Sequence, residues 1–286
     1  MNRITTLIIA TALTLPLSAA AQNWAPAGEN IRTTWSEQVS PESCHPEYPR
    51  PQMVRGDWKS LNGLWNYAVT KCGEPQPAEN DGQILVPFAI ESSLSGVGRI
   101  LQPNENLWYS TTFQAKDQKG MRTMLNFDAV DWKADVYVND IFLGTHTGGF
   151  TEFSFDITPY LNVKGVQKLV VKVADSSDKS FQPRGKQVLS PKGVWYTPVS
   201  GIWQSVWLET VPETRFLSYE AVADIDTKSL TVKTLTKGTA EGDIILAEVL
   251  EGGVGYTPEK PAEKVIASAK AAEGKAVTVT LPEVKT

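Results

Sequence analysis

Histidine and cysteine are nearly absent from this chain. Among its 286 residues there are two histidines, His45 and His146, and two cysteines, Cys44 and Cys72. So few soft ligands, this widely scattered, leave a structural or catalytic zinc site without a donor set, and no metal ligand is assigned. A Ser-His-Asp triad would have to use one of the two histidines. Neither lies near a Gly-x-Ser-x-Gly turn, and no Cys-His pair has a local signature. Both histidines read as exposed loop or strand residues. No glycine-rich loop opens a helix, so nucleotide binding lacks its phosphate cradle and no cofactor is expected. Basic clusters are missing as well. The 27 Lys+Arg are outnumbered by 32 Asp+Glu for a net charge of -5. That excludes nucleic acid as the main partner, because phosphate neutralisation needs a basic stripe.

Long hydrophobic runs are lacking beyond the first residues. Arg3, the apolar stretch 7–17 broken by Pro16, and the small residues Ala19, Ala20 and Ala21 have the form of a secretion leader over 1–21, with the mature chain starting at Gln22. The stretch is too short to span a bilayer, and no cysteine follows the cleavage point to carry a lipid. An exported protein, periplasmic or secreted, with no membrane attachment after cleavage, is the expectation. In that compartment Cys44 and Cys72 either pair or stay as separate buried thiols.

Helical periodicity is also missing after the leader. Short alternating segments punctuated by Gly, Pro, Asn and Asp take its place, which is the all-β pattern. Leu169, Val171 and Val173 share one face of a strand. Ile202, Val206 and Leu208 share one face of another, with Trp203 and Trp207 on the opposite face, so that strand is expected to be covered on both sides. Asn139-Asp140 tolerates positive φ and reads as a two-residue hairpin turn between 136–138 and 141–143. Gly148-Gly149 permits a second sharp turn before Phe153 and Phe155. All nine tryptophans lie at or before Trp207. Beyond Pro212 the text turns to Val, Thr, Lys, Glu and Ala, which sets a boundary at 210–214. Four regions result: the leader 1–21, an N-terminal extension 22–54, a sandwich over 55–212, and an immunoglobulin-type sandwich over 213–286. The last is shorter than the roughly 100 residues of such a domain, so it is expected to be cut short.

Glycoside hydrolysis needs two carboxyl groups about 5–9 Å apart across one sugar ring. No spacing singles out such a pair among the acids, and Glu91 and Glu152 read as structural or rim residues. No catalytic residue is therefore assigned. The aromatics say more. Trp108-Tyr109, Trp132, Trp195-Tyr196, Trp203 and Trp207 offer flat apolar faces with polar tips, the surface on which sugar C–H faces stack. Trp65, Trp203 and Trp207 are expected in the core. Trp195 sits in a loop flanked by Gly and Pro, where packing demands it less.

Five ordered landmarks over residues 55–210 resemble the N-terminal sugar-binding domain of glycoside hydrolase family 2, the family of β-galactosidases, β-glucuronidases and β-mannosidases. They are Leu61-Asn62-Gly63-Leu64-Trp65, then Val86-Pro87-Phe88 through Ser93, then Trp108-Tyr109 with Thr111-Thr112-Phe113. The fourth is Asn126-Phe127-Asp128-Ala129-Val130-Asp131-Trp132 followed by Val136-Tyr137-Val138-Asn139 and Gly144. The last is Gly201-Ile202-Trp203 through Val206-Trp207-Leu208. The resemblance implies a jelly-roll, galactose-binding-like β-sandwich, a truncated immunoglobulin-like β-sandwich, and a (β/α)8 barrel in the full-length protein. That barrel would carry both catalytic glutamates of a retaining mechanism.

The same resemblance implies which residues meet substrate. In β-galactosidases an asparagine five residues before the strand tyrosine reaches the sugar, and Asn104 stands five before Tyr109. In β-galactosidases and β-glucuronidases an aspartate sits six residues before the closing-strand glycine, and here that position is Trp195. The departure argues against simple galactosidase or glucuronidase specificity. Arg184 and Lys186, in the stretch Gln182-Pro183-Arg184-Gly185-Lys186-Gln187, meet an anionic sugar or a barrel carboxylate, or else form a solvated turn. The expected partners are an oligosaccharide or glycoside and the catalytic barrel of the same full-length chain. The expected function is the non-catalytic front end of an exported exo-glycosidase. The alternative is a free-standing carbohydrate-binding or adhesive module on the same sandwich.

Overall fold

The computed structural model describes residues 24–28, 32–50, 52–53, 55–251 and 264–282. The leader expected over 1–21 lies outside the described residues. The structure is all-β. Its described helices are 3-10 turns of three to five residues, and none is long and apolar enough to cross a membrane.

The first sandwich holds twelve strands. They are β1 (Trp58–Ser60), β2 (Gly63–Lys71), β3 (Gly82–Val86), β4 (Glu105–Gln114), β5 (Met121–Phe127), β6 (Val130–Asp131), β7 (Lys133–Val138), β8 (Ile141–Thr147), β9 (Phe153–Asp156), β10 (Val166–Ala174), β11 (Gly201–Ile202) and β12 (Val206–Pro212). One sheet runs β1-β12-β5-β9 and the other β3-β2-β4-β10-β7-β8, with β11 and β6 forming a short ribbon. Every pairing is antiparallel. The alternation places Leu169, Val171 and Val173 on the inner face of β10. They meet Trp65, Tyr109, Phe127 and Val136 in one core. Burying each such side chain contributes about 1.5–3 kcal/mol.

The Asn139-Asp140 turn has φ of 51° and 65°, the two positive values that a tight hairpin needs. The Asn139 amide also donates to the Tyr160 carbonyl at 2.8 Å and to Gln167 Oε1 at 2.6 Å, so the turn is locked from outside.

Two expectations change in detail. Ile202, Val206 and Leu208 do share the core, but on two strands, because the chain leaves the sheet at 203–205. Trp203 lies in that gap and is half-buried, not core: its indole donates to the Gly149 carbonyl at 2.7 Å. Trp65 and Trp207 are buried, at 2% and 0% exposure.

What covers the outer face of β12 is the N-terminal segment. Glu209 on β12 is 2% exposed. Tyr48 donates to it at 2.6 Å, Arg50 at 3.1 Å and the Trp207 indole at 3.0 Å, while the Arg55 guanidinium lies 3.0 Å away. Arg50 also sits over the Trp207 ring, 5.2 Å from its centroid. A buried carboxylate is tolerated because two cations and two neutral donors converge on it.

The second sandwich contains β13 (Arg215–Asp224), β14 (Ser229–Lys237), β15 (Ile244–Glu251), β16 (Lys264–Ala272) and β17 (Val277–Thr280). β13-β14-β17 form one sheet and β15-β16 the other. They close on a small core of Ile245, Val277 and Val279, with alanines of β16 against it. The sandwiches are tied by Arg122 to Glu213 at 2.6 Å, by Arg55 to the Phe216 carbonyl at 2.6 Å, and by the Tyr219 hydroxyl to the Gln52 carbonyl.

Candidate saccharide-facing loop

Residues 182–199 leave β10 and return to β11 without regular structure. Their Pro and Gly content withholds amides and admits positive φ, as at Gly193 with φ 62°. The loop folds back on itself instead. Tyr196 N donates to the Lys186 carbonyl at 2.9 Å, Val188 N to the Tyr196 carbonyl at 3.0 Å, and Trp195 N to the Lys192 carbonyl at 3.2 Å. This pinch brings cations onto ring faces. The Arg184 guanidinium is 5.8 Å from the Trp195 centroid, and Lys186 Nζ is 5.8 Å from that of Tyr196. Arg184 also donates to the Gln187 carbonyl at 2.7 Å, so it is half engaged in holding the loop.

Trp195 is 44% exposed and Tyr196 62%, with Phe181 and Val194 also open to solvent. Trp195 and Tyr196 are consecutive, exposed, and each has a cation near its ring, and an exposed ring of either kind suits the apolar face of a sugar. Arg184, Lys186 and Trp195 are thus gathered on one loop. Asn104 is elsewhere. It is exposed, in the turn ahead of β4, where its carbonyl accepts from Cys72 N at 2.9 Å. The next residue, Glu105, is buried and held by Arg99 at 2.6 Å, Lys71 at 3.0 Å and Gln102 N at 3.1 Å. Burial alone would raise the Glu105 carboxyl. The Gln102 amide, Lys71 and Arg99 outweigh it and hold it below the ordinary carboxylate range.

Between turn and loop lies a feature that sequence reading missed. Glu91 accepts from Leu101 N at 3.2 Å and from Ser200 N at 2.8 Å, linking the two regions. Asp175 accepts from Ser200 Oγ at 2.7 Å and Ser177 N at 2.7 Å. Asp131, on β6, is 2% exposed, and its Oδ1 finds no partner. Burial, then the charges of Asp175 and Glu91, push Asp131 up to about 7 against the relief of Gln187. Burial pushes Glu91 to about 7 despite its amide donors. Glu91 stood out in the sequence only by its neighbourhood. Asp131 and Asp175 carry no local signal.

The glycine that closes the loop has a steric reason. Gly201 has φ 90°, and a Cβ there would lie 2.0 Å from the Tyr109 hydroxyl, which accepts from Ile202 N at 3.2 Å. Strand tyrosine and closing glycine are therefore one packing unit. The two cysteines are unpaired, Cys44 buried and Cys72 exposed.

Residues 87–212 match the sequence model described as glycosyl hydrolases family 2, sugar binding domain. Over that stretch, less than half of the chain, the sequence is similar to a family 2 sugar-binding domain. A β-galactosidase of Thermoanaerobacter pseudethanolicus is 30% identical over 154 residues, covering 51% of this chain and 20% of that protein. A β-galactosidase of Bacteroides ovatus is 28% identical over 198 residues, 64% of this chain and 22% of that protein. A β-glucuronidase of Formosa agariphila is 33% identical over 106 residues, 37% of this chain and 11% of that protein. Over 82% of its length the chain also shares the fold of a Ruminococcus gnavus β-glucuronidase, with a TM-score of 0.58 at 19% identity, covering 41% of that chain. The chain thus spans about a fifth of the length of the first two relatives and about two-fifths of that structure.

Proposed function

We propose that this chain is the N-terminal, substrate-shaping portion of an exported family 2 exo-glycosidase that cleaves O-glycosidic bonds by a retaining mechanism. In this reading the loop 182–199 and the Asn104 turn border a catalytic pocket whose acid/base and nucleophile are glutamates of a barrel in the full-length protein. The observation that carries the reading is the exposed Trp195–Tyr196 pair, with Arg184 and Lys186 near its rings, on a sandwich similar to the family 2 sugar-binding domain. Trp195 stands where β-galactosidases and β-glucuronidases are expected to place an aspartate. A stacking face in place of a hydroxyl-binding charge alters sugar choice without altering the fold.

The chain's own carboxyls support a division of labour. Glu91 and Asp131 have the raised proton affinity of a general acid. Both are under 10% exposed, and Glu91 is spent on backbone amides, so neither reaches a glycosidic oxygen.

Nitrophenyl glycosides test the reading. The full-length gene product should hydrolyse at least one β-glycoside, and this chain alone none. Turnover by the repurified chain would refute the division of labour. Sugar binding with no hydrolysis by the full-length product would favour the carbohydrate-binding module.

A further inference from the structure

A loop with almost no regular structure is held here by buried acids. Asp175 follows β10, and its Oδ1 accepts from Ser177 N at 2.7 Å and from the Gln182 side-chain amide. Its Oδ2 accepts from Ser200 Oγ at 2.7 Å. Glu91 takes the Ser200 amide from the other side, at 2.8 Å. Gln187 Oε1 accepts from Val199 N at 2.6 Å, stitching the middle of the loop to its return. The start of the loop, at 177–182, and its end, at 199–200, therefore converge on one knot.

The knot is costly. Asp131, Asp175 and Glu91 are 2%, 3% and 8% exposed. Among the described residues no lysine or arginine pairs with any of them, although Glu105 and Glu209 nearby in the fold are each held by two cations. Uncompensated buried carboxylates weaken a sandwich that apolar residues would stabilise. What Asp175 and Glu91 supply is acceptors for donors at the two ends of the loop that its internal hydrogen bonds leave over. Asp175 takes donors from Ser177 ahead of the loop, Gln182 at its start and Ser200 just past its end, which ties both ends of the loop to one point.

We propose that Asp175, seconded by Glu91 and Gln187, is the positioning residue of the loop 182–199, fixing the conformation that presents Trp195 to a saccharide without touching the saccharide. The saccharide half rests on the function proposed above; the loop half does not. The mechanism is hydrogen bonding, not charge. An asparagine at 175 keeps both Oδ1 contacts, and the Ser200 hydroxyl can reverse to accept from the new amide. An alanine loses all three.

Two readouts in this chain need no sugar. One is native-state trypsin cleavage after Arg184, Lys186 and Lys192. The other is acrylamide quenching of Trp195, taken as the difference from a Trp195→Phe counterpart. Well below its melting temperature, Asp175→Ala should raise loop cleavage roughly tenfold or more and quenching about twofold, as local opening becomes cheaper. Asp175→Asn should stay near the parent. Gln187→Ala, at a half-buried site that costs no core packing, should loosen the loop severalfold and carries the test if Asp175→Ala does not fold. In the full-length protein, with the p-nitrophenyl β-D-galactoside, glucuronide, mannoside and glucoside as a probe panel, Asp175→Ala should raise KM about fivefold or more and change kcat less than about twofold on whichever glycoside the parent cleaves.

Loop cleavage and quenching that match the parent in a folded Asp175→Ala chain, or in Gln187→Ala where Asp175→Ala does not fold, would overturn the proposal, even with a lowered melting temperature. An Asp175→Asn chain as loose as Asp175→Ala would overturn the hydrogen-bond account. A loosened loop with unchanged KM would sink the saccharide half alone. Absence of hydrolysis of every glycoside in the panel would count against the proposed function, while the two sugar-free readouts still decide the loop.

Discussion

Raising the pH from about 5 to about 8 should weaken this protein, against the trend of most proteins stabilised by ion pairs. The cause is Glu91 and Asp131. Each binds its proton more tightly in the folded chain than in the unfolded one, at about 7 compared with ordinary values of 4.5 and 3.8. Their contribution is fully present below about pH 4, erodes as the pH climbs toward 7, and is lost above it, because the unfolded chain releases those protons earlier. At about 1.4 kcal/mol per pH unit, each carboxyl is worth on the order of 3 kcal/mol across the window. For a sandwich of this size that corresponds to roughly 6–12 °C in melting temperature per carboxyl. Asp128 adds a smaller change of the same sign, raised to about 6 by burial and by Glu152, and discounted because water reaches it. Glu105 does not oppose them, since its carboxyl is held low and acts only in more acid solution. Calorimetry or urea unfolding of this chain between pH 4.5 and 8.5 reads the slope. Asp131→Asn removes one titrating group and a like charge beside Glu91. The variant should therefore show a shallower slope and surpass the parent above pH 7. A flat or rising stability over this window, or an unchanged slope in Asp131→Asn, would refute the reasoning.

Three other perturbations have definite outcomes. Glu209→Ala leaves Arg50 and Arg55 facing an empty buried site and should cost about 3–5 kcal/mol in urea unfolding, with the N-terminal segment released to proteolysis first. Trp195→Ala should lower kcat/KM of the full-length glycosidase proposed above by roughly one to two orders of magnitude, at about 1.4 kcal/mol per tenfold, while moving the melting temperature of the sandwich little, since Trp195 is 44% exposed; the reverse pattern would make Trp195 a loop anchor. Iodoacetamide should label Cys72 promptly and Cys44 only on unfolding, because Cys44 is 5% exposed and burial pushes its thiol up to about 11.

The fold was legible wherever the physics is local. Alternation placed Leu169, Val171 and Val173 in the core, and Asn139-Asp140 announced a turn because few residues accept positive φ twice. The five landmarks identified the sandwich because several are steric units, as the contact between Tyr109 and Gly201 shows. Trp203 was misjudged because alternation was carried across a break in the strand at 203–205. The cover over the outer face of β12 was foreseen as a neighbour but not as Tyr48, Arg50 and Arg55, since nothing in a Pro-rich extension announces where it will lie. Gly and Pro marked the stretches around Arg184 and Lys186 and around Trp195 as loop, but that the two stretches pinch together was not legible. Nor were the acids that fix the loop. A buried aspartate and a solvated one are the same letter, and only tertiary packing separates them.

The strand order of the smaller sheet has a consequence for synthesis. β1 pairs with β12, Trp58 against Glu209, so the first strand waits for the last. At ribosomal speeds of about 5–20 residues per second, that wait is roughly ten to thirty seconds. From the time β5 emerges until β12 follows, β5 lacks that partner, and its edge is open to any strand that passes. The closing segment 201–212 therefore decides more than the shape of a pocket. Until it emerges the nascent domain is an unfinished template, and an escort that shields strand edges is most useful to this chain in that interval.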